Sequence, residues 1–164
     1  MDGQRSIEID DDPRQQEIEW KMQRIAWVVL SLLLLAVAFG LFGRGGPMST
    51  VEETSPDGFT VEYERFLRHD SPDVMRVSVQ KTSSALVRVK IDSLYARHIQ
   101  IERVTPEPER ETGADGVVTF VFRTQPGTRF EATFYFTPEK HGSLKGWIAL
   151  DTGARHALSQ FVYP

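Results

Sequence analysis

Residues 129–136, RFEATFYF, decide the fold of this chain because their side chains alternate with a period of two. Phe130, Ala132, Phe134 and Phe136 fall on one side, and polar or amphipathic residues separate them. Successive side chains of a β-strand point to opposite faces of a sheet. The stretch therefore predicts a strand with one face in a core and the other toward solvent.

The same alternation recurs on both sides of this stretch, separated by turn residues about every eight to twelve positions. It predicts eight strands, at 59–64, 75–80, 85–92, 97–104, 118–122, 130–136, 144–150 and 157–163. Strands with one apolar and one polar face are typical of an all-β protein with two antiparallel layers. We predict an immunoglobulin-like β-sandwich of about 7–8 strands over residues 58–164. A small closed barrel is the alternative.

The N-terminal part of the chain has a different pattern. Residues 25–43, IAWVVLSLLLLAVAFGLFG, form an uncharged apolar run between Arg24 and Arg44. A helix of this length spans roughly 28 Å, close to the bilayer core of about 30 Å, so the run predicts one transmembrane helix. The residues expected to anchor it in the lipid bilayer are Trp27, Leu32, Leu33, Leu34, Leu35, Phe39 and Phe42.

Basic residues near the two ends of this run predict its orientation. Arg14, Lys21 and Arg24 precede it, whereas Arg44 is the one basic residue close behind it. The acidic tail, residues 1–24, should therefore be cytoplasmic and the β domain extracytoplasmic, or periplasmic at an inner membrane. Residues 44–57 are expected to be a linker, flexible at its glycine-rich start. A cleaved signal peptide is the alternative, because the residues 36–38, AVA, resemble a cleavage site.

Several kinds of chemistry have no support in the sequence. The absence of cysteine excludes disulfides, thiol catalysis and zinc–thiolate sites. A net charge of −4 with scattered basic residues argues against nucleic-acid binding. The four histidines lack metal-ligand spacing, so we expect them at the surface or at strand edges; they are His69, His98, His141 and His156. We predict no enzymatic activity, no cofactor and no metal site.

The longest segment predicted to be irregular within the β domain is 105–115, TPEPERETGAD. Recognition often lies in long loops carried by a rigid scaffold. This segment supplies the candidate interaction residues, which are Pro106, Glu107, Pro108, Glu109 and Arg110.

The anchor, the short linker and a β domain without a catalytic motif together predict a non-enzymatic interaction module. It would be an accessory or assembly subunit of a larger membrane or envelope complex. In layout alone, a helix anchor followed by an immunoglobulin-like domain resembles many bacterial envelope accessory proteins. The expected partners are the lipid bilayer and another membrane or envelope protein, and no nucleic acid. A membrane-tethered domain that binds or senses a ligand is the alternative.

Overall fold

The structure, a computed structural model, describes residues 13–39, 49–151, 153 and 155–164 of the chain. Helix α1 (Pro13–Ala38) begins with proline, whose missing N–H is tolerated in the first turn. Within the described residues, one segment, Glu19–Ala38, is long and apolar enough to cross a membrane, and 0% of it is buried. The predicted anchor residues with exposed side chains are Trp27, Leu32, Leu33, Leu34, Leu35 and Phe39. Residues 40–43 of the predicted apolar run, with Phe42, lie outside the described residues.

The described residues after α1 form eleven strands in two sheets. The first sheet contains, in spatial order, β1 (Thr50–Thr54), β2 (Phe59–Glu64), β4 (Asp73–Val79), β9 (Phe130–Pro138) and β6 (Ile99–Thr105). The second contains β3 (Phe66–Arg68), β11 (Arg155–Tyr163), β10 (Gly142–Leu150), β5 (Leu86–Asp92), β8 (Val117–Arg123) and β7 (Arg110–Ala114). A four-residue helix, α2 (Ser93–Ala96), connects β5 to β6.

The two sheets face each other across one apolar core. Phe120 and Phe122 of β8 pack against Phe130 and Phe134 of β9, with ring centroids 5.2 to 6.4 Å apart. These contacts join the two sheets, because β8 and β9 belong to different sheets. The prediction of a mostly β domain with two layers is confirmed, and the barrel alternative is wrong. Neighbouring strands pair antiparallel except β3 and β11, which are parallel.

Three strands depart from the predicted pattern. β1 lies within 44–57, the predicted linker, so the β domain begins at Thr50 rather than at residue 58. β7 lies within 105–115, which we had predicted to be irregular. Both are edge strands with mainly exposed residues, so neither carries the alternation that marks a half-buried strand. β3 has only three residues. The predicted number of strands was too low for these reasons, and the immunoglobulin-like topology stays a prediction.

Helix α2 places one aromatic side chain at an end of the core. Tyr95 is fully buried, and its hydroxyl donates to Oε1 of Gln160 at 2.7 Å. Gln160 in turn donates to the carbonyl of Glu64 at 2.8 Å, which connects the two sheets. Burial raises the pKa of Tyr95, so the hydroxyl stays a donor. A Cβ on Gly146 would lie 2.9 Å from Cγ of Tyr95, so this close packing requires glycine.

Candidate interaction surface

The described strands of the two sheets carry opposite net charges. The first sheet has seven acidic and two basic residues, a net charge of −5, and the second has seven basic and two acidic residues, a net charge of +5. We call the outward side of the first sheet the acidic face; it carries Arg76 and Arg103 and five acidic residues, which are Glu52, Glu62, Glu64, Glu102 and Glu131. We call the outward side of the second sheet the basic face; it carries Asp92 and seven basic residues, which are Arg68, Arg88, Lys90, Arg110, Arg123, Lys145 and Arg155.

Basic residues on the basic face stand in rows across the strands. One row runs from Arg110 through Val121 to Arg88, and a second runs from Lys90 through Ala149 to Arg155. Neighbouring strands are about 4.8 Å apart, so the cations of each row are roughly 10 Å apart with an apolar side chain between them. The face thus combines dispersed positive charge with small apolar areas, as protein interfaces do.

The predicted interaction loop contributes to one edge of this face. Glu109 and Arg110 line an open groove of about 540 Å³ together with Leu86, Arg88, Val121 and Arg123. Nε of Arg123 donates to Glu109 at 2.5 Å, and this bond raises the pKa of Arg123. The other predicted loop residues, Pro106, Glu107 and Pro108, lie between β6 and β7 and so connect the two sheets.

One carboxylate holds two cations of the basic face. Asp151 accepts from Lys90 at 2.7 Å and from Arg88 at 2.6 Å, and these bonds lower the pKa of Asp151. A cavity of about 320 Å³ lies beside this cluster, lined in part by Lys81, Ser83 and Arg88. It is the described feature best suited to a small anionic ligand.

The acidic face holds like charges in direct opposition. Glu52 of β1 pairs in register with Glu62 of β2, and Glu62 pairs with Arg76 of β4. Oε1 of Glu62 lies 3.1 Å from Nη1 of Arg76. Like charges directly across two antiparallel strands destabilise the pair. The fold thus retains an excess of negative charge here at a cost to its own stability.

A buried histidine joins the two sheets, contrary to the prediction that all four histidines lie at the surface or at strand edges. His156 of β11 is 7% exposed. Its Nε2 lies 2.8 Å from Oγ of Ser55 and 3.2 Å from the carbonyl of Phe59, and its Nδ1 lies 3.2 Å from Glu53. A serine, a histidine and a carboxylate in contact are also the components of a catalytic triad. Glu53 and Ser55 belong to the β1–β2 hairpin of the first sheet and His156 to β11 of the second, and the ring also contacts the carbonyl of Phe59, so the arrangement ties the hairpin to β11.

The remaining histidines lie elsewhere. His69 and His141 stack with ring centroids 3.8 Å apart, and Nε2 of His98 lies 3.4 Å from Nζ of Lys140. Within the described ranges, no group of three or more histidine or carboxylate side chains is placed to hold a metal ion.

Ser78 and Lys81 have the S-x-x-K spacing of a serine nucleophile. Ser78 is a strand residue of β4, and Lys81 lies beyond the end of that strand. Residues three apart on extended chain point to opposite sides, so this spacing does not bring the two side chains together.

Comparison with known proteins gives no family. No family model and no curated protein matches the chain. Among solved structures it is similar to a non-cellulosomal cohesin from the hyperthermophilic archaeon Archaeoglobus fulgidus, with a TM-score of 0.38 and 8% identity over 70% of this chain and 83% of the cohesin. A likeness of this degree carries no information on binding. The fold defines a two-sheet β protein with an apolar N-terminal helix.

Proposed function

We propose that this chain is a single-pass, membrane-anchored, non-enzymatic interaction module, an accessory or assembly subunit of a larger membrane or envelope complex. The observation that carries the proposal is the separation of charge between the two faces. A surface with a net charge raises the rate of encounter with a partner of opposite charge and disfavours partners of like charge. The β domain then acts as an immunoglobulin-like scaffold that presents these faces.

The membrane anchor is supported by the apolar segment Glu19–Ala38 and its exposed side chains. Such a surface is stable in lipid and costly in water. The excess of basic residues before the segment favours a cytoplasmic N-terminus. We propose that the chain is anchored in the cell membrane with its β domain outside the cytoplasm. In a bacterium with two membranes, this would be the inner membrane.

Affinity purification of the tagged full-length chain from native membranes in mild detergent, followed by mass spectrometry, tests this function. We expect a stoichiometric partner that dissociates as salt rises, because screening weakens contacts between charged surfaces. Recovery of a monomer without any partner at low salt would contradict the proposal. A tagged Lys140→Glu variant, which changes a turn outside both faces, should retain the partner and serves as the control.

Labelling of single cysteines tests the orientation, because the natural chain has no cysteine and needs no background changes. Ser83→Cys lies on the exposed side of the β domain, and Ser6→Cys lies in the N-terminal tail. A thiol reagent that cannot cross membranes should label the first variant in intact cells and the second only after lysis. The reverse pattern would contradict the orientation, and loss of the N-terminal residues would indicate a cleaved signal peptide.

A sensing domain is the second candidate, favoured by the cavity beside Asp151. Its lining combines Lys81 and Arg88 with the hydroxyls of Ser83 and Ser84, which can bind an anion, and with the carboxylates of Asp57 and Asp151. A ligand that binds the folded state raises the unfolding temperature. Thermal shifts with inorganic phosphate and small carboxylates, lost in Arg88→Gln, would support this candidate over the interaction module.

A further inference from the structure

We infer that the basic face of one copy binds the acidic face of a second copy of this chain, so that neighbouring copies form a row in the membrane. The inference rests on the proposed function, because it takes the β domain to be an anchored interaction module and names its partner. The opposite sign of the net charge on the two outward faces carries it.

The two faces lie on opposite sides of the same sandwich, because each is the outer side of its sheet and the core lies between them. The outward strand residues of the basic face sum to +6 (seven basic, one acidic), and those of the acidic face sum to −3 (five acidic, two basic), so every copy supplies two surfaces of opposite sign. The two surfaces are different, so their contact is heterologous. Heterologous contacts form rings or open rows and not closed two-fold dimers.

The anchor favours this arrangement. Copies anchored in one membrane by equivalent helices share the same orientation across it, so each copy can present its basic face to the acidic face of a neighbour. Confinement to a membrane also raises the effective concentration of the copies. A two-fold dimer through one face would oppose like charges, and such contacts are strongly unfavourable.

Local features of both faces suit such a contact. The opposition of Glu52 and Glu62 disfavours the isolated domain, and a cation from a second copy would relieve it. On the basic face, Arg155 stacks 4.0 Å above the Trp147 ring, and Phe161 is 50% exposed. These side chains add apolar area beside the charges, which is the usual composition of an interface.

Charge reversal on each face provides the test. The full-length chain is co-expressed with two different tags, and one tag is purified from membranes in mild detergent while the other is detected. The basic-face variant carries Arg110→Glu, Lys145→Glu and Arg155→Glu. The acidic-face variant carries Glu52→Lys, Glu62→Lys and Glu131→Lys.

Wild-type copies should co-purify at low salt and separate as the salt concentration approaches about 0.5 M. Each variant paired with itself should associate about tenfold less or weaker still, because one of its two complementary faces has lost its original charge. The two variants paired with each other should recover association, since the acidic-face variant retains an intact basic face and the basic-face variant retains an intact acidic face. Foreign partners cannot produce this reciprocal recovery.

Lys140→Glu, a turn variant, should associate like the wild type, and unfolding temperatures check that each variant is folded. The inference is overturned if wild-type copies do not associate at low salt, if salt leaves their association unchanged, or if two folded variants fail to recover it. The wild-type salt series needs no variant, so misfolding cannot hide the result. If the chain captures another membrane protein but does not associate with itself, this inference is wrong and the proposed function still holds. If it captures neither another protein nor a second copy of itself, both proposals are wrong.

Discussion

The two sheets are alike on their inner sides and opposite on their outer sides. Inside, both contribute apolar side chains to one core, and the phenylalanines of β8 and β9 interlock between them. Outside, one sheet is acidic and the other basic, although the whole chain has a net charge of only −4. A chain with a small net charge can therefore fold into a molecule whose two sides carry opposite charges. The inner sides hold the fold together, and the outer sides are free to select partners.

The largest expected effect comes from breaking the shared core. Phe134→Ala removes a ring that contacts Phe120 and Phe122 across the two sheets, so we expect a loss of about 3–5 kcal/mol in the free energy of unfolding. Urea unfolding of the full-length chain in detergent measures it. Phe161→Ala, on the basic face, is the matched control and should lower the free energy by only about 1 kcal/mol, because half of the ring is exposed. Equal losses in both variants would contradict an interlocked core.

A smaller effect is expected where the second sheet packs on α2. Gly146→Ala forces a Cβ against the buried ring of Tyr95, and overpacking of this kind costs about 1–3 kcal/mol. Gly113→Ala is the matched control, because nothing lies within 4 Å of its Cβ position in the edge strand β7. The same unfolding measurement should leave the control near the wild type. A neutral Gly146→Ala would mean that Tyr95 does not pack as described.

The contacts of His156 link the first sheet to the second, so removing this side chain tests how far they stabilise the pairing of the two sheets. His156→Ala leaves Glu53, Ser55 and the carbonyl of Phe59 without this partner, which should lower the free energy of unfolding by about 1–3 kcal/mol. His141→Ala, at an exposed stacked pair, is the control and should be nearly neutral. Hydrogen exchange should also rise in β1 and β2 of His156→Ala. Unchanged exchange there would argue against a tie between the sheets.

The smallest effect concerns the carboxylate that holds two cations of the basic face. The folded-state pKa of Asp151 is lowered, so its ion pairs stabilise the fold above the unfolded-state pKa and lose that effect as pH falls through the folded-state value. Asp151→Asn should cost less than about 1 kcal/mol at neutral pH, because the pairs are partly exposed. The difference from the wild type should begin to shrink below about pH 4 and vanish only below the folded-state pKa of Asp151. Asp115→Asn, in an exposed turn, is the control; a difference that grows in acid would contradict the pairing.

The predicted strands were found where alternation marks a buried face. β9 was the clearest because five alternate residues are buried, and β2 and β4 follow the same pattern. The edge strands were missed because edge residues stay exposed and carry no such period. One local signal for β7 was available: Asp115-Gly116, both with positive φ, form the two-residue turn to β8. Asp-Gly between extended segments is a strong hairpin signal.

The candidate site was predicted only in part. Glu109 and Arg110 line a groove of the basic face, and whether they and the other loop residues bind a partner stays a prediction. His156 was missed, although it shares the parity of Leu158 and Val162, both buried on β11. Extending the last predicted strand by two residues would have placed its side chain inward. Its contacts with Glu53 and Ser55, about a hundred residues away along the chain, had no local signal.

By itself the sequence determined the apolar helix, the mostly β character and the residues of the core, because burial of apolar side chains imposes periods that can be seen along a chain. The tertiary structure alone decided which strands share a sheet, and therefore which charges share a face. Most strands that are neighbours in sequence fall on different sheets here, as β2 and β3 do. Residues 50–64 are acidic, but from Arg65 onward acidic and basic residues are interspersed along the chain, and only strand pairing sorts them into two opposite surfaces.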